Sequence, residues 1–294
     1  MSGSLNLAVL ISLLLISACT PKADKDPQNP YKGVTGTVEY HEDFESDYVA
    51  ARNVEVWLPP NYSDEDSSYQ VLYMHDGQNV FNPQTSYNGN DWMVDEVLTN
   101  LIRENKVQKT IVVASWNTGE TRFAEYMPNK PENQPSMGYD EIISDEYLKF
   151  LVQELKPFID TNYRTKAQAE FTSIMGSSMG GLISLYAIME YPDIFGAAAC
   201  LSTHWPVADN GDNDFLSYIP ETLPDPEIHK IYFDFGTRGL DAKYEVYQDQ
   251  VDQMMRNNGY EEGLNWVTKK FEGHDHKEQY WAMRVNEPLT FILN

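Results

Sequence analysis

Residues 171–186 read Phe171-Thr172-Ser173-Ile174-Met175-Gly176-Ser177-Ser178-Met179-Gly180-Gly181-Leu182-Ile183-Ser184-Leu185-Tyr186. A short apolar run enters a glycine-bounded turn and leaves into a second apolar run. That order predicts a strand over 171–175, a tight turn, and a helix opening near Met179. Gly176, Ser178 and Gly180 fit G-x-S-x-G, with Ser178 alone in the central register and Ser177 outside it. A serine at the apex of a sharp strand-to-helix turn is held in strained φ/ψ, so the positions beside it must lack bulk. Its hydroxyl then stands clear of the sheet, and the N–H groups at the head of the helix face any oxyanion formed beside it. The strand before the turn, the apolar helix after it and the third glycine, Gly181, distinguish this from a plain packing turn.

The surrounding chain is long enough for such an architecture. It has 294 residues, of which 41% are hydrophobic and 13% aromatic, and this is the composition of a globular protein with a full core. The formal charge of −24, with no run of Lys or Arg, argues against nucleic acid and anionic lipid headgroups as partners. It also disfavours polyanionic substrates. Only Cys19 and Cys200 are present, so no disulfide framework holds the fold; Cys200 falls in an apolar strand pattern and reads as a small core residue.

At the amino terminus, residues 5–18 form an uncharged apolar run that ends Ile16-Ser17-Ala18-Cys19. This pattern predicts a signal peptide over 1–18 with a bacterial lipobox, Cys19 becoming the lipidated first residue after cleavage. Residues 1–6 lack the usual Lys or Arg, which is a departure from that pattern. Residues 19–32 then have the polar, proline-containing character of a tether, leaving 33–294 as one domain. The predicted location is the bacterial cell envelope, lipid-anchored, or outside the cell.

Alternation predicts two antiparallel strands at 35–41 and 53–58, closed by Pro59-Pro60. Apolar strands follow at 71–74, 110–115, 171–175, 197–202, 231–235 and 266–271. Helices are expected at 91–103, 140–160, from about 179, at 240–257, and from about 277 to the end. Strands alternating with helices after an antiparallel start imply an α/β fold, a mostly parallel central sheet covered on both faces.

A serine hydroxyl needs a general base, usually a histidine oriented by a carboxylate. In the α/β-hydrolase arrangement the acid and then the histidine follow the serine, at the ends of the last two strands. The stretch Phe235-Gly236-Thr237-Arg238-Gly239-Leu240-Asp241 supplies Asp241 in the loop, where an ordinary helix N-cap would also be aspartate, and Asp234 in the strand is the rival acid. Past the last strand lies Gly273-His274-Asp275-His276-Lys277-Glu278, in which either histidine could be the base. The N–H of Met179, directly after the serine, is the expected first oxyanion donor.

Several motifs together resemble the esterase D-like family of α/β-hydrolases, including enterochelin esterase-like and feruloyl or acetyl-xylan esterase-like proteins. They are His75-Asp-Gly-Gln78, Arg122-x-x-Glu125-Tyr126-x-Pro128, Gly176-x-Ser178-Met-Gly-Gly181, Ser202-Thr-His-Trp205, Gly236-Thr-x-x-Leu-Asp241 and Gly273-x-x-His276-x-Glu278-x-x-Trp281. The resemblance runs over about residues 54–293. It implies that His276, not His274, is the base, and that the second oxyanion donor is the N–H of Gln78.

Several other residues carry expectations. His75 is expected to fix its loop by hydrogen bonding, and Arg122 and Glu125 are read as an ion pair shaping a rim loop, with substrate contact by Arg122 the alternative. His204 and Trp205 are candidates for a substrate wall, and the long connection 203–229 for a lid. Asp209-Asn-Gly-Asp212-Asn-Asp214 lacks the spacing of a calcium loop and reads as an acidic solvated segment. Neither a metal nor a cofactor is expected. The expected activity is hydrolysis of carboxylic esters: acyl-sugar, hydroxycinnamoyl, siderophore or short-chain. Acyl transfer by the same residues, or a non-catalytic envelope protein binding glycan or a partner, are the alternatives.

Overall fold

A computed structural model describes residues 31–64, 66–131, 141–208 and 215–294. The apolar run, Cys19 and most of the tether lie outside these residues, as does the acidic segment 209–214. The strands are β1 (Thr37–Phe44), β2 (Arg52–Leu58), β3 (Gln70–Met74), β4 (Thr110–Ser115), β5 (Thr172–Ser177), β6 (Ala197–Leu201), β7 (Lys230–Gly236) and β8 (Trp266–Phe271). They form one sheet in the order β1-β2-β4-β3-β5-β6-β7-β8. β1 pairs antiparallel with β2, and β2 with β4; all other neighbours are parallel. This is the α/β-hydrolase arrangement, mostly parallel with an antiparallel amino-terminal edge.

The helices are α1 (Val94–Arg103), α2 (Arg122–Tyr126), α3 (Ser144–Lys149), α4 (Lys156–Asn162), α5 (Met179–Glu190), α6 (Trp205–Ala208), α7 (Phe215–Thr222), α8 (Glu245–Asn257), α9 (Glu278–Ala282) and α10 (Asn286–Ile292). None of the described helices is long and apolar enough to cross a membrane. Successive strand side chains point to opposite faces, and the two cores divide accordingly. Val71, Tyr73, Ile174, Cys200, Ile231 and Phe233 face the core under α5 and α8, as the apolar pattern around Cys200 predicted. Leu72, Met74, Val112, Met175 and Leu201 face the one shared with α1 and α10. Because both faces are covered, the inner strands β3, β4 and β6 are nearly continuous apolar runs, whereas the parallel edge strand β8 carries Lys269 and Lys270.

Strand limits follow the sequence closely, and 110–115 and 266–271 coincide with β4 and β8. Two helix starts fall where expected, α5 at Met179 and α9 at Glu278; others differ. Met93 stands in the left-handed region (φ 55°), so α1 opens at Val94 rather than at residue 91. The expected 140–160 helix is α3 and α4 joined by a π-helical segment, Phe150–Leu155. A separate 3₁₀ turn, Asp241–Lys243, precedes α8, which therefore begins at Glu245. The terminal helix is split into α9 and α10. The connection 203–229, read as a lid, is anchored to the core in its described parts. Trp205 on α6 and Phe215 and Ile219 on α7 are buried in the core.

Candidate active site

Parallel strands in an open sheet present their carboxyl ends along one edge, and ligands bind there. In this chain the loops after β3, β4, β5 and β8 meet at a cleft of about 550 Å³ lined by Gln78, Asn117, Arg122, Ser178, His276 and Glu278, among others.

Ser178 is the N-cap of α5, with φ 60° and ψ −120°, a conformation costly for a residue with a side chain. Its backbone N–H is tied to the Leu201 carbonyl of β6 at 2.9 Å. The Ser178 carbonyl accepts from the N–H groups of Gly181 (3.0 Å) and His204 (3.2 Å). The hydroxyl makes no capping bond to its own helix, unlike most N-cap serines. Steric demand for glycine is strongest before the serine. A Cβ at Gly176 would lie 2.7 Å from the Gly180 carbonyl oxygen and 2.9 Å from the His75 ring, whereas one at Gly180 would meet nothing closer than 3.6 Å.

Asp241 and His276 arrive from the loops after β7 and β8. Asp241 Oδ1 is 2.6 Å from His276 Nδ1, while Oδ2 accepts from the Gly236 N–H at 2.7 Å and from the Ser202 hydroxyl at 2.6 Å. Asp241 is fully buried and the His276 side chain is 15% exposed, so the ring bridges a buried charge and the open cleft. Burial acts to raise the Asp241 carboxyl, but the His276, Ser202 and Gly236 donors outweigh it and hold the group below the usual carboxylate range. The rival residues have other partners. Asp234 is buried against Arg284 Nη2 at 2.8 Å, and desolvation leaves its carboxyl raised despite that pairing. The His274 ring lies against Phe271 and Tyr280, with Nδ1 3.5 Å from Arg284 Nη1.

The loop after β3 is braced from several sides. Asp76 takes the left-handed conformation (φ 56°), and a Cβ at Gly77 would lie 2.6 Å from the Ala114 carbonyl, so the backbone runs directly against β4. The Gln78 carbonyl accepts from Thr85 Oγ1 at 2.8 Å, and its side-chain oxygen from the Asn117 N–H at 3.2 Å. His75 is buried behind this loop, its Nδ1 2.8 Å from the Tyr147 hydroxyl, and desolvation lowers its pKa to about 3. The ring's bond thus runs to Tyr147 on α3 and not to the loop itself.

The Arg122–Glu125 ion pair expected from spacing does not form. Arg122 reaches Asp76 instead, through Nε and Nη2, both at 2.6 Å, and Asn117 adds a third bond to Asp76 at 2.6 Å. Burial acts to raise the Asp76 carboxyl; the Arg122 charge outweighs it and keeps the group low. Glu125 turns inward to Arg52, with bonds of 2.7 and 2.9 Å in the core. Among the three substrate-facing candidates, Arg122 lines the cleft. His204 bonds through Nδ1 to the Tyr244 hydroxyl (2.6 Å), and its ring lies 6.4 Å from that of His276. Burial lowers its pKa to about 4, with the His276 and Arg122 charges adding to the effect. Trp205 is a core residue, 1% exposed, with its indole N–H on Gln248 at 3.1 Å. That corrects its reading as a wall.

Four residues take structural parts that sequence patterns did not assign: Asp76, Ser202, Trp281 and Arg284. The first three stand inside the quoted motifs without an assigned part; Arg284 carries no pattern at all.

Residues 49–292 match the family model Esterase, described as "Putative esterase". The chain belongs to this esterase family. It is a carboxylic ester hydrolase. The uncharacterized Bacillus subtilis protein YbbA is 22% identical over 255 residues, covering 82% of this chain and 92% of that protein. An endo-1,4-beta-xylanase/feruloyl esterase of Xylanibacter ruminicola is 28% identical over 187 residues, 60% of this chain and 21% of that longer protein. Among solved structures, a ferulic acid esterase superposes with a TM-score of 0.64 at 20% identity, over 88% of this esterase and 98% of the other chain.

Proposed function

We propose that this esterase hydrolyses its substrate through Ser178, His276 and Asp241 by way of an acyl-enzyme. The observation that carries the reading is the 2.6 Å bond from His276 to a buried Asp241, formed at the cleft where Ser178 is held at positive φ. The Ser178 oxygen attacks the ester carbonyl while His276 Nε2 takes the hydroxyl proton. The Met179 and Gln78 N–H groups face the oxyanion of the tetrahedral intermediate. Collapse breaks the bond to the alcohol, which leaves with the proton from His276. Water then gives its proton to His276, its oxygen attacks the acyl-enzyme, and the acid is released as Ser178 regains its hydrogen. Asp241 holds Nδ1–H throughout, fixing the tautomer and stabilising the imidazolium.

The cleft sets polar side chains, among them Gln78, Asn117, Arg122 and Glu278, beside the aromatic rings of Tyr87 and Trp281. This suits an acyl group carried on a hydroxyl-rich alcohol such as a sugar. The names of the feruloyl and ferulic acid esterase relatives add hydroxycinnamoyl esters to that class.

Asp241→Asn tests the assignment of the acid. It is expected to melt near the wild-type temperature and to lose about 10⁴ in kcat, because the imidazole is left in the wrong tautomer. Asp234→Asn unpairs a buried arginine, which costs about 3–5 kcal/mol and lowers the melting temperature, with kcat within about tenfold. Kinetics run beside thermal melts check both. An active Asp241→Asn beside an inactive, normally melting Asp234→Asn would transfer the acid to the strand.

We also propose that Cys19 carries lipid and ties the enzyme to the cell envelope, on the basis of the apolar run that ends at Ile16-Ser17-Ala18-Cys19. Cys19→Ser is expected to leave the precursor unprocessed and to release it from the membrane fraction. An unchanged intact mass and unchanged fractionation would overturn this.

A further inference from the structure

The outer oxygen of Asp241 is held by a buried chain of donors to which the sequence assigned no part. Ser202 Oγ lies 2.9 Å from Trp281 Nε1 and 2.8 Å from Arg284 Nη2. Both nitrogens can only donate. A hydroxyl has two lone pairs and one proton, so both lone pairs are occupied and the proton points to Asp241 Oδ2 at 2.6 Å. The orientation of this hydroxyl is therefore fixed by its neighbours. Ser202 itself sits at φ 42°, its N–H bound to the Asp234 carbonyl at 2.8 Å and within 3.2 Å of the Asp234 carboxylate.

Arg284 Nη2 has two hydrogens. One goes to Ser202 and the other to Asp234 Oδ1 at 2.8 Å. The guanidinium is thus neutralised at contact distance by Asp234, while Asp241 Oδ2 stands 3.9 Å from the same nitrogen. A direct Arg284–Asp241 pair would draw the carboxylate away from the imidazole. Instead, the positive charge reaches Asp241 through the polarised hydroxyl, and Oδ1 stays with His276. Ser202, Asp234, Asp241 and Arg284 are all at most 1% exposed, so bulk water cannot take over a lost donor.

We propose that Ser202 and Arg284 are positioning residues for ester hydrolysis, acting through the Asp241 carboxylate to keep it ionised and aimed at His276. This rests on the reading of Ser178, His276 and Asp241 as the reacting groups. Loss of a donor on Oδ2 destabilises the anionic Asp241–His276 pair, so the pair binds its first proton more tightly. The acid limb of the pH profile of kcat/KM then moves to higher pH. Other ionisable groups also face the pair: His204 and Tyr244 beside the ring, Asp275 and Glu278 flanking it, His274 on the side of Asp241, and Arg122 with Asp76 across the cleft. These are unaltered in the variants below.

Ser202→Gly keeps the positive φ without strain and removes the hydroxyl together with the Cβ that carries it. With p-nitrophenyl acetate as probe, kcat should fall about 10–100-fold with KM within about twofold, and the acid limb should rise by about one pH unit. Arg284→Met should move the limb in the same direction, and Arg284→Lys, which keeps the charge, should move it less. If Arg284→Met fails to fold, Ser202→Gly alone decides. An acid limb of Ser202→Gly within about 0.2 pH units of wild type would overturn the proposal, whatever the loss in kcat, since a merely structural defect removes active enzyme without moving the limb. Ser178→Ala run alongside separates the two levels: full activity there rejects the reacting groups, while an inactive Ser178→Ala beside an unshifted Ser202→Gly rejects the positioning residues only.

Discussion

Ser178→Ala is expected to lose about 10⁶ in kcat, the size of effect seen when a nucleophile is removed from a serine hydrolase. The loss should be general, holding for acetyl, hydroxycinnamoyl and short-chain esters alike, because it removes the bond-forming atom and not a substrate contact. Stability should change little or improve. The Ser178 hydroxyl makes no capping bond, so its removal leaves no helix N–H newly unpaired. Turnover measured beside a thermal melt checks both parts. A folded Ser178→Ala that still hydrolyses these esters at more than about a hundredth of the wild-type rate would reject the serine mechanism.

His276→Ala is expected to fall by a similar factor of about 10⁶, since a serine without a base is a poor nucleophile at neutral pH. His274→Ala should keep kcat within about tenfold. The contrast is sharp because the two side chains are only two positions apart and occupy different environments. His276 bonds to Asp241 at 2.6 Å and lines the cleft, whereas the His274 ring lies against Phe271 and Tyr280. His274 does place its backbone carbonyl on the N–H groups of Thr237 and Arg238, at 3.0 and 2.9 Å, and alanine preserves those bonds. Steady-state kinetics on the two variants decide it; the reverse ranking would move the base to His274.

Legibility in the sequence tracked the range of the interaction. The Gly176–Gly181 turn was legible because backbone contact within a few residues dictates it: the Gly180 carbonyl leaves no room for a Cβ at Gly176. Strand limits were legible because polar or turn-forming residues bound each apolar run. The start of α5 at Met179 was legible with its turn, but that of α1 was not, since it depends on the single dihedral of Met93. Ion-pair partners were legible least. Spacing makes Arg122 and Glu125 neighbours, but it cannot reveal that a buried Arg52 claims Glu125 from 73 residues away and Asp76 claims Arg122 from 46. The donors behind Asp241 failed for the same reason. Ser202 and Arg284 are 82 positions apart and meet only because the loop after β6 and the segment after α9 converge under the sheet edge.

Helix α5 is buried around nearly its whole circumference; eleven of its twelve residues are inside, all but Glu190. A helix enclosed in this way has no solvent face along which to slide or tilt, so the seat of Ser178 is mechanically stiff. Accommodation of differently shaped esters therefore falls to the opposite bank of the cleft, where Tyr87 and Asn88 are exposed and Arg122 is partly so. Divergence of substrate range in relatives of this chain should accordingly accumulate on that bank, while the α5 side tolerates few changes.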